Sequence, residues 1–123
     1  MIRESTENYL ETIYMLSQRL DFVRSIDVCT ELGYSKPTIS VVMKQFRENG
    51  YIEMDSSGHI TLTPSGLEIA LHTYERHLVL TEMLAALGVS RETAMEDACK
   101  MEHDISDETL VCIKRFLQER KEK

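Results

Sequence analysis

The apolar positions of this chain change their period twice, and the changes mark out its elements. Tyr9, Leu10, Ile13, Leu16 and Leu20 recur with helical spacing behind the polar stretch Ser5, Thr6 and Glu7, which predicts a first amphipathic helix. The segment VRSIDVCTELG predicts a short second helix that begins near Ser25 to Asp27 and stops at Gly33, a residue that tolerates a left-handed C-cap. A turn follows. Ser35 is placed to cap a third helix, with Pro37 in its first turn where the missing N–H costs nothing. Ile39, Val42, Met43 and Phe46 line one face of it until Asn49-Gly50.

The period then drops from about 3.6 to about 2. YIEMD and HITLT read as two short strands around Ser56-Ser57-Gly58, a hairpin signal. Thr63-Pro64-Ser65-Gly66 opens a long helix to about Leu87, closed by Gly88. Two more helices are expected over roughly 90–103 and 106–120. The fold class is therefore mainly α with a small β-hairpin, beginning with a winged helix-turn-helix over residues 1–64 and ending in a helical domain over 65–123.

A winged helix-turn-helix presents its second helix to the DNA major groove, where residues near the helix start reach base edges. The inner face of the third helix is taken by its apolar residues, so Ser35, Lys36, Pro37, Thr38, Ser40, Val41, Lys44, Gln45 and Arg47 lie on or near the outer one. Lys44 and Arg47 suit phosphates; Ser35, Thr38 and Ser40 suit base edges or phosphates; Val41 suits a thymine methyl. The alternative is an ordinary solvated helix surface, since helical triplets with a hairpin occur outside DNA-binding modules. The hairpin tip SSGH is nearly neutral, and His59 reads there as an incidental surface histidine.

Charge complicates the DNA reading without removing it. The net charge is −7, from 14 Lys and Arg against 21 Asp and Glu, which disfavours nucleic acid for the molecule as a whole. Between Gly33 and Gly50, however, Lys36, Lys44 and Arg47 face only Glu48, a local excess of positive charge. The 123 residues suit one domain, or one core with a small appendage. Three widely spaced cysteines, an N-terminus without an apolar signal region and no apolar run of membrane-spanning length predict a reducing, cytoplasmic setting with no membrane partner.

The last chemical feature is EDACKMEHDISDE. Cys99, Glu102 and His103 stand at i, i+3 and i+4, which on a helix places thiol, carboxylate and imidazole on one face. Such a set suits a borderline transition metal better than Mg²⁺ or Ca²⁺. Further donors are available at Asn8 and Glu11 on the first helix and at His77 on the fourth. The competing reading is a small buried cysteine beside a polar helix surface. Catalysis finds little support: there is no H-E-x-x-H run, no Ser/His/Asp pattern and no glycine-rich phosphate loop, so the chain is not expected to be an enzyme or to act on an organic small molecule.

Taken together, STENYLETIYML, YSKPTISVVMKQFRENGYI, LTPSGLEIA, His77 and ACKMEHDISDE resemble the diphtheria-toxin-repressor family of iron- and manganese-dependent regulators, in the same order and over nearly the whole chain. The resemblance implies a homodimeric winged-helix repressor on a palindromic double-stranded operator that controls metal-homeostasis genes, with a divalent metal as corepressor and the last two helices as the dimer interface. It implies a main metal site of Cys99, Glu102 and His103 with a first-helix ligand that falls on Asn8, where relatives carry methionine or aspartate. A second site, as in the manganese branch, would draw on Glu11, His77 and Glu102; the iron branch's additional positions fall on Thr81 and Met95, neither a strong ligand.

The length, without room for an extra C-terminal SH3-like domain, resembles the manganese branch, whereas Cys99 resembles the iron branch. A soft thiolate favours Fe²⁺ ahead of Mn²⁺, with Co²⁺, Ni²⁺ or Zn²⁺ able to substitute. On this reading metal fixes the spacing of two recognition helices, which must enter successive major grooves, and its binding weakens as pH falls because the ligands must be deprotonated. A metal-independent regulator that senses oxidants through Cys99, or a small metalloenzyme, are the remaining alternatives.

Overall fold

The computed structural model describes residues 4–122, with side chains from 6 to 121. Its elements are α1 (Glu4–Ser17), α2 (Ser25–Leu32), α3 (Lys36–Glu48), β1 (Ile52–Met54), β2 (Ile60–Leu62), α4 (Pro64–Ala86), α5 (Arg91–Met101) and α6 (Asp107–Glu122). The mainly helical class with one hairpin is the architecture read from the sequence. The chain divides into two compact units, Met1–Leu71 and His72–Lys123, with the division inside α4.

The first unit is built on one apolar cluster. Leu10, Ile13 and Leu16 of α1 meet Val28 and Cys29 of α2, Ile39, Met43 and Phe46 of α3, Ile52 and Ile60 of the strands, and Ala70 of α4. α2 packs on α1 and α3, β1 on α3, and β2 on α1. The turn between α2 and α3 is made by Gly33, whose φ of 73° is the left-handed conformation that closes α2. α3 opens as its sequence predicts, with the Ser35 side chain accepting from the Thr38 N–H and Pro37 in the first turn.

Two details differ from the periodicity. α1 begins at Glu4, so Ser5 lies inside it, and its side chain is outside the described residues. The helix also ends at Ser17 rather than near Leu20, which is 37% exposed. Ser17 Oγ donates to the Tyr14 carbonyl at 2.6 Å, a local bond that competes with the helical ladder at its last turn.

β1 and β2 pair antiparallel with Ile52 opposite Leu62 and Met54 opposite Ile60. Val23 adds an isolated antiparallel bridge to β2, accepting the Ile60 N–H at 2.7 Å. Thr63 joins the hairpin to α4: its N–H donates to the Tyr51 carbonyl, its hydroxyl to the Gly50 carbonyl, and its Oγ1 accepts the Gly66 N–H.

In the second unit Thr73, Leu80 and Thr81 of α4, Ala94 and Ala98 of α5, and Leu110 of α6 are buried. Ser90 caps α5 by accepting the Thr93 N–H, and Ser106 accepts the Thr109 N–H at the start of α6. Lys114 pairs with Glu75 and Lys121 with Glu82, so α6 runs along α4 in the same direction. No helix among the described residues is long and apolar enough to cross a membrane.

Candidate metal centre and nucleic-acid interface

The nine residues read as a DNA-facing surface, Ser35, Lys36, Pro37, Thr38, Ser40, Val41, Lys44, Gln45 and Arg47, are all exposed, because Ile39, Met43 and Phe46 turn the opposite side of α3 into the core. Val41 is 58% exposed, which is high for an aliphatic side chain with no solvent role. Ser35 and Thr38 are tied to each other through their hydroxyls at 2.8 Å, so both serve the helix start while remaining at the surface.

The hairpin is better organised than its neutral tip suggested. His59 stacks on Phe22 with ring centroids 4.2 Å apart and planes within 11°. Its Nδ1 lies 3.1 Å from Asp55 Oδ2, and its Nε2 lies 3.1 Å from an Arg24 guanidinium nitrogen. The partners assign the tautomer: Nδ1–H donates to the carboxylate and Nε2 accepts from Arg24. His59 is therefore not incidental. It fastens the hairpin to the segment before α2, a role no local pattern announces because Phe22 and Arg24 are distant in sequence.

The second unit carries the densest group of buried polar side chains. Glu102 is 1% exposed, and His77 Nδ1 lies 3.1 Å from its Oε2. His103 Nε2 lies 3.3 Å from its Oε1, close enough for an ion pair, yet the geometry leaves Oε1 without a hydrogen bond among the described residues. The His103 side chain is 2% exposed and that of His77 16%. Thr81, directed back to the His77 carbonyl, fixes that turn of α4.

The expectation that Cys99, Glu102 and His103 share one helical face needs correction. α5 ends at Met101; Glu102 is its C-cap and His103 lies in the following turn. At this helix end the Glu102 carbonyl, without a helical partner, accepts from Arg76 Nη1 at 3.1 Å. Cys99 is exposed whereas Glu102 is buried. Asn8 is half-buried and Glu11 buried, three residues apart on α1. Thr81 is buried and Met95 exposed. No three His, Cys, Asp or Glu side chains among the described residues converge as a ready-made metal cage.

The donors nevertheless fit a divalent metal. A fully buried carboxylate needs compensating charge or hydrogen bonds, and Glu102 has one oxygen that makes no hydrogen bond, flanked by two imidazoles. Imidazole and carboxylate together suit Mn²⁺, Fe²⁺ or Zn²⁺, and the Cys99 thiol would add a softer donor.

Comparison with known proteins adds to this geometry. Residues 1–60 match the family model of the iron dependent repressor N-terminal DNA binding domain, and residues 63–123 that of the iron dependent repressor metal binding and dimerisation domain. The chain belongs to the diphtheria-toxin-repressor family. The first match falls within the hairpin-bearing unit, and the second takes in the whole of the helical unit. The chain is 37% identical to the transcriptional regulator MntR of Salmonella typhimurium over 95% of its length and 74% of the relative's. It is 31% identical to an uncharacterized HTH-type transcriptional regulator of Methanocaldococcus jannaschii, over 98% of both chains. Among solved structures, a manganese-dependent transcriptional repressor in complex with manganese superposes with a TM-score of 0.84 at 28% identity; the match covers 92% of this chain and about half, 52%, of that one.

Sequence reasoning named Glu102, His103 and His77 but overlooked Arg76 and Asp107, which hold the turn that presents two of them. Nothing local marked Arg76, which sits in the polar run His72-Thr73-Tyr74-Glu75-Arg76-His77 and whose carbonyl partners lie well beyond it in the chain.

Proposed function

We propose that this chain is a homodimeric, metal-dependent transcriptional repressor in which Fe²⁺ or Mn²⁺ acts as corepressor at operators of metal-homeostasis genes. The buried Glu102 carboxylate between His77 and His103 carries this reading, because it is a charged group with an oxygen that makes no hydrogen bond in the unit that supplies the metal-binding function of the family. Cys99 is the third donor near it in sequence, and Asn8 and Glu11 are the first-helix donors that the family resemblance implies. His77, Glu102 and His103 would hold the ion, which when bound would supply the positive charge that compensates the Glu102 carboxylate.

Metal then acts by linkage. If the DNA-competent state binds the ion more tightly than the others, occupancy shifts the population toward it by that difference in affinity. Ser35, Lys36, Pro37, Thr38, Ser40, Val41, Lys44, Gln45 and Arg47 form the reading surface on a double-stranded, palindromic operator, with a domain boundary near 64. Two considerations bear on the metal: the thiol at Cys99 favours Fe²⁺ over Mn²⁺ intrinsically, whereas the solved structure named above is of a manganese-dependent repressor in complex with manganese. Availability in the cell decides between them.

Operator binding measured with and without Mn²⁺ or anaerobic Fe²⁺ tests the reading. Metal should strengthen binding of the wild-type protein, and His103→Ala should remove the stimulation while leaving weak metal-independent binding. DNA affinity indifferent to every divalent metal would sink the proposal. In the same assay Lys44→Ala should weaken binding to all sequences and reduce the magnitude of the log–log salt slope by about one, the mark of a lost phosphate contact.

A further inference from the structure

Arg76 is the most heavily engaged buried charge in the described chain, and neither metal nor DNA binding accounts for it. It lies one residue before His77 on α4 and is 9% exposed. Nη1 donates to two main-chain carbonyls, Glu102 at 3.1 Å and Ile105 at 2.8 Å. Nη2 donates to Asp107 Oδ1, and Nε to His72 Nε2 at 3.2 Å. One guanidinium thus joins the C-cap of α5, the turn after it, the first residue of α6 and the preceding turn of α4.

The partners show what the group is for. The Asp107 side chain is 79% exposed and that of His72 53%, so the arginine is not there to satisfy buried acids. One inner bond goes to the C-cap carbonyl of α5, where the last C=O groups lack helical partners and a cation complements the helix dipole, and the other to the Ile105 carbonyl in the turn beyond it. A planar fork reaches two carbonyls and a carboxylate together, which an ammonium on a flexible stem does not. The next residue, His77, holds the side chain of the same Glu102 through Oε2. Consecutive residues of α4 therefore grip Glu102 twice, Arg76 by its main chain and His77 by its carboxylate.

We propose that Arg76 is the positioning residue of the metal centre: it clamps the 102–107 turn in the metal-free protein, so that Glu102 and His103 stand in place before an ion arrives. A site ordered beforehand spends less of its binding free energy on ordering the turn, so the clamp raises metal affinity without touching the metal. The effect on affinity rests on the metal-binding reading above; the clamp itself does not.

The test uses the full chain with Arg76→Lys, which keeps the charge and loses the fork, Arg76→Gln, which loses both, and Asp107→Asn, an exposed change that leaves the fold's interior alone. Hydrogen exchange in metal-free protein should show the 102–106 amides opening about tenfold faster in the Arg76 variants, the scale of a lost charged hydrogen bond, with the α1–α3 amides unchanged. Titration with Co²⁺, read through its visible d–d bands, should show affinity about 10- to 100-fold weaker and an altered band shape in Arg76→Lys, with a smaller loss in Asp107→Asn. Wild-type exchange in both Arg76→Lys and Asp107→Asn overturns the clamp. If the Arg76 variants do not fold, Asp107→Asn decides: faster opening of the 102–106 amides supports the clamp, and wild-type opening overturns it. Wild-type Co²⁺ affinity and spectrum in a variant whose turn has loosened overturn the positioning role, and a wild-type protein that takes up no Co²⁺ overturns the metal reading and the positioning role with it.

Discussion

Gly66 and Glu102 show how much of a residue's role depends on neighbours that its own sequence context does not name. TPSG reads as a helix start, and Gly66 looks like one more small residue in it. A Cβ at this position would lie 2.1 Å from the Tyr51 carbonyl oxygen and 3.0 Å from the carbonyl carbon, both main chain and unable to swing aside. Gly66→Ala should therefore destabilise the fold by about 1–3 kcal/mol, the usual cost of overpacking, measured as a lower urea midpoint at unchanged m-value. Wild-type stability would mean that the start of α4 shifts freely against Tyr51. Glu102 was legible as a donor by type and spacing, but its burial was not: Cys99, three residues earlier, is exposed on the same helix. Periodicity names the residues on a turn, and only packing says which side of the turn is covered.

At the scale of elements, the hairpin was read correctly from its change of period and its Ser-Ser-Gly tip, while what holds it was not. Asp55 organises the turn by accepting the N–H groups of His59 and Ser57, both at 2.9 Å. The His59 main-chain bond, ahead of the Ser57 bond and the hydrogen bond from the His59 ring, holds the Asp55 carboxyl below its usual value against an opposing desolvation. A carboxyl lowered in the folded state stabilises it above the unfolded value, about 3.9, and that contribution fades as pH falls through the lowered folded value. Asp55→Asn should flatten the acid limb of stability against pH and raise amide exchange in the hairpin at neutral pH. An acid limb identical to wild type would remove Asp55 from the turn's support. The strands came out as three residues each because the next pair, Tyr51 and Thr63, keeps only one cross-strand bond: the Thr63 N–H reaches the Tyr51 carbonyl, while the Tyr51 N–H goes to the Phe46 carbonyl.

For the whole molecule, metal binding and folding are linked, because an ion that binds only the native state stabilises it. Mn²⁺ at about 100 times its dissociation constant should add about 2.7 kcal/mol to unfolding, seen as a rise in Tm. Glu102→Gln should abolish the rise, since the amide keeps the shape and loses the charge between His77 and His103; an undiminished rise would place the ion elsewhere. The sequence by itself determined the order and type of the elements, the caps at Ser35 and Gly33, the outward face of α3 and the donor types near α5. These are consequences of local backbone preference and of amphipathic period, which neighbours in sequence carry. The tertiary structure alone decided that Val23 joins the hairpin, that His59 is a fastening and that Arg76 holds the turn before α6. Each of those depends on a polar group finding a partner far along the chain, and a buried hydrogen bond of that kind leaves no periodic trace in the residues that make it.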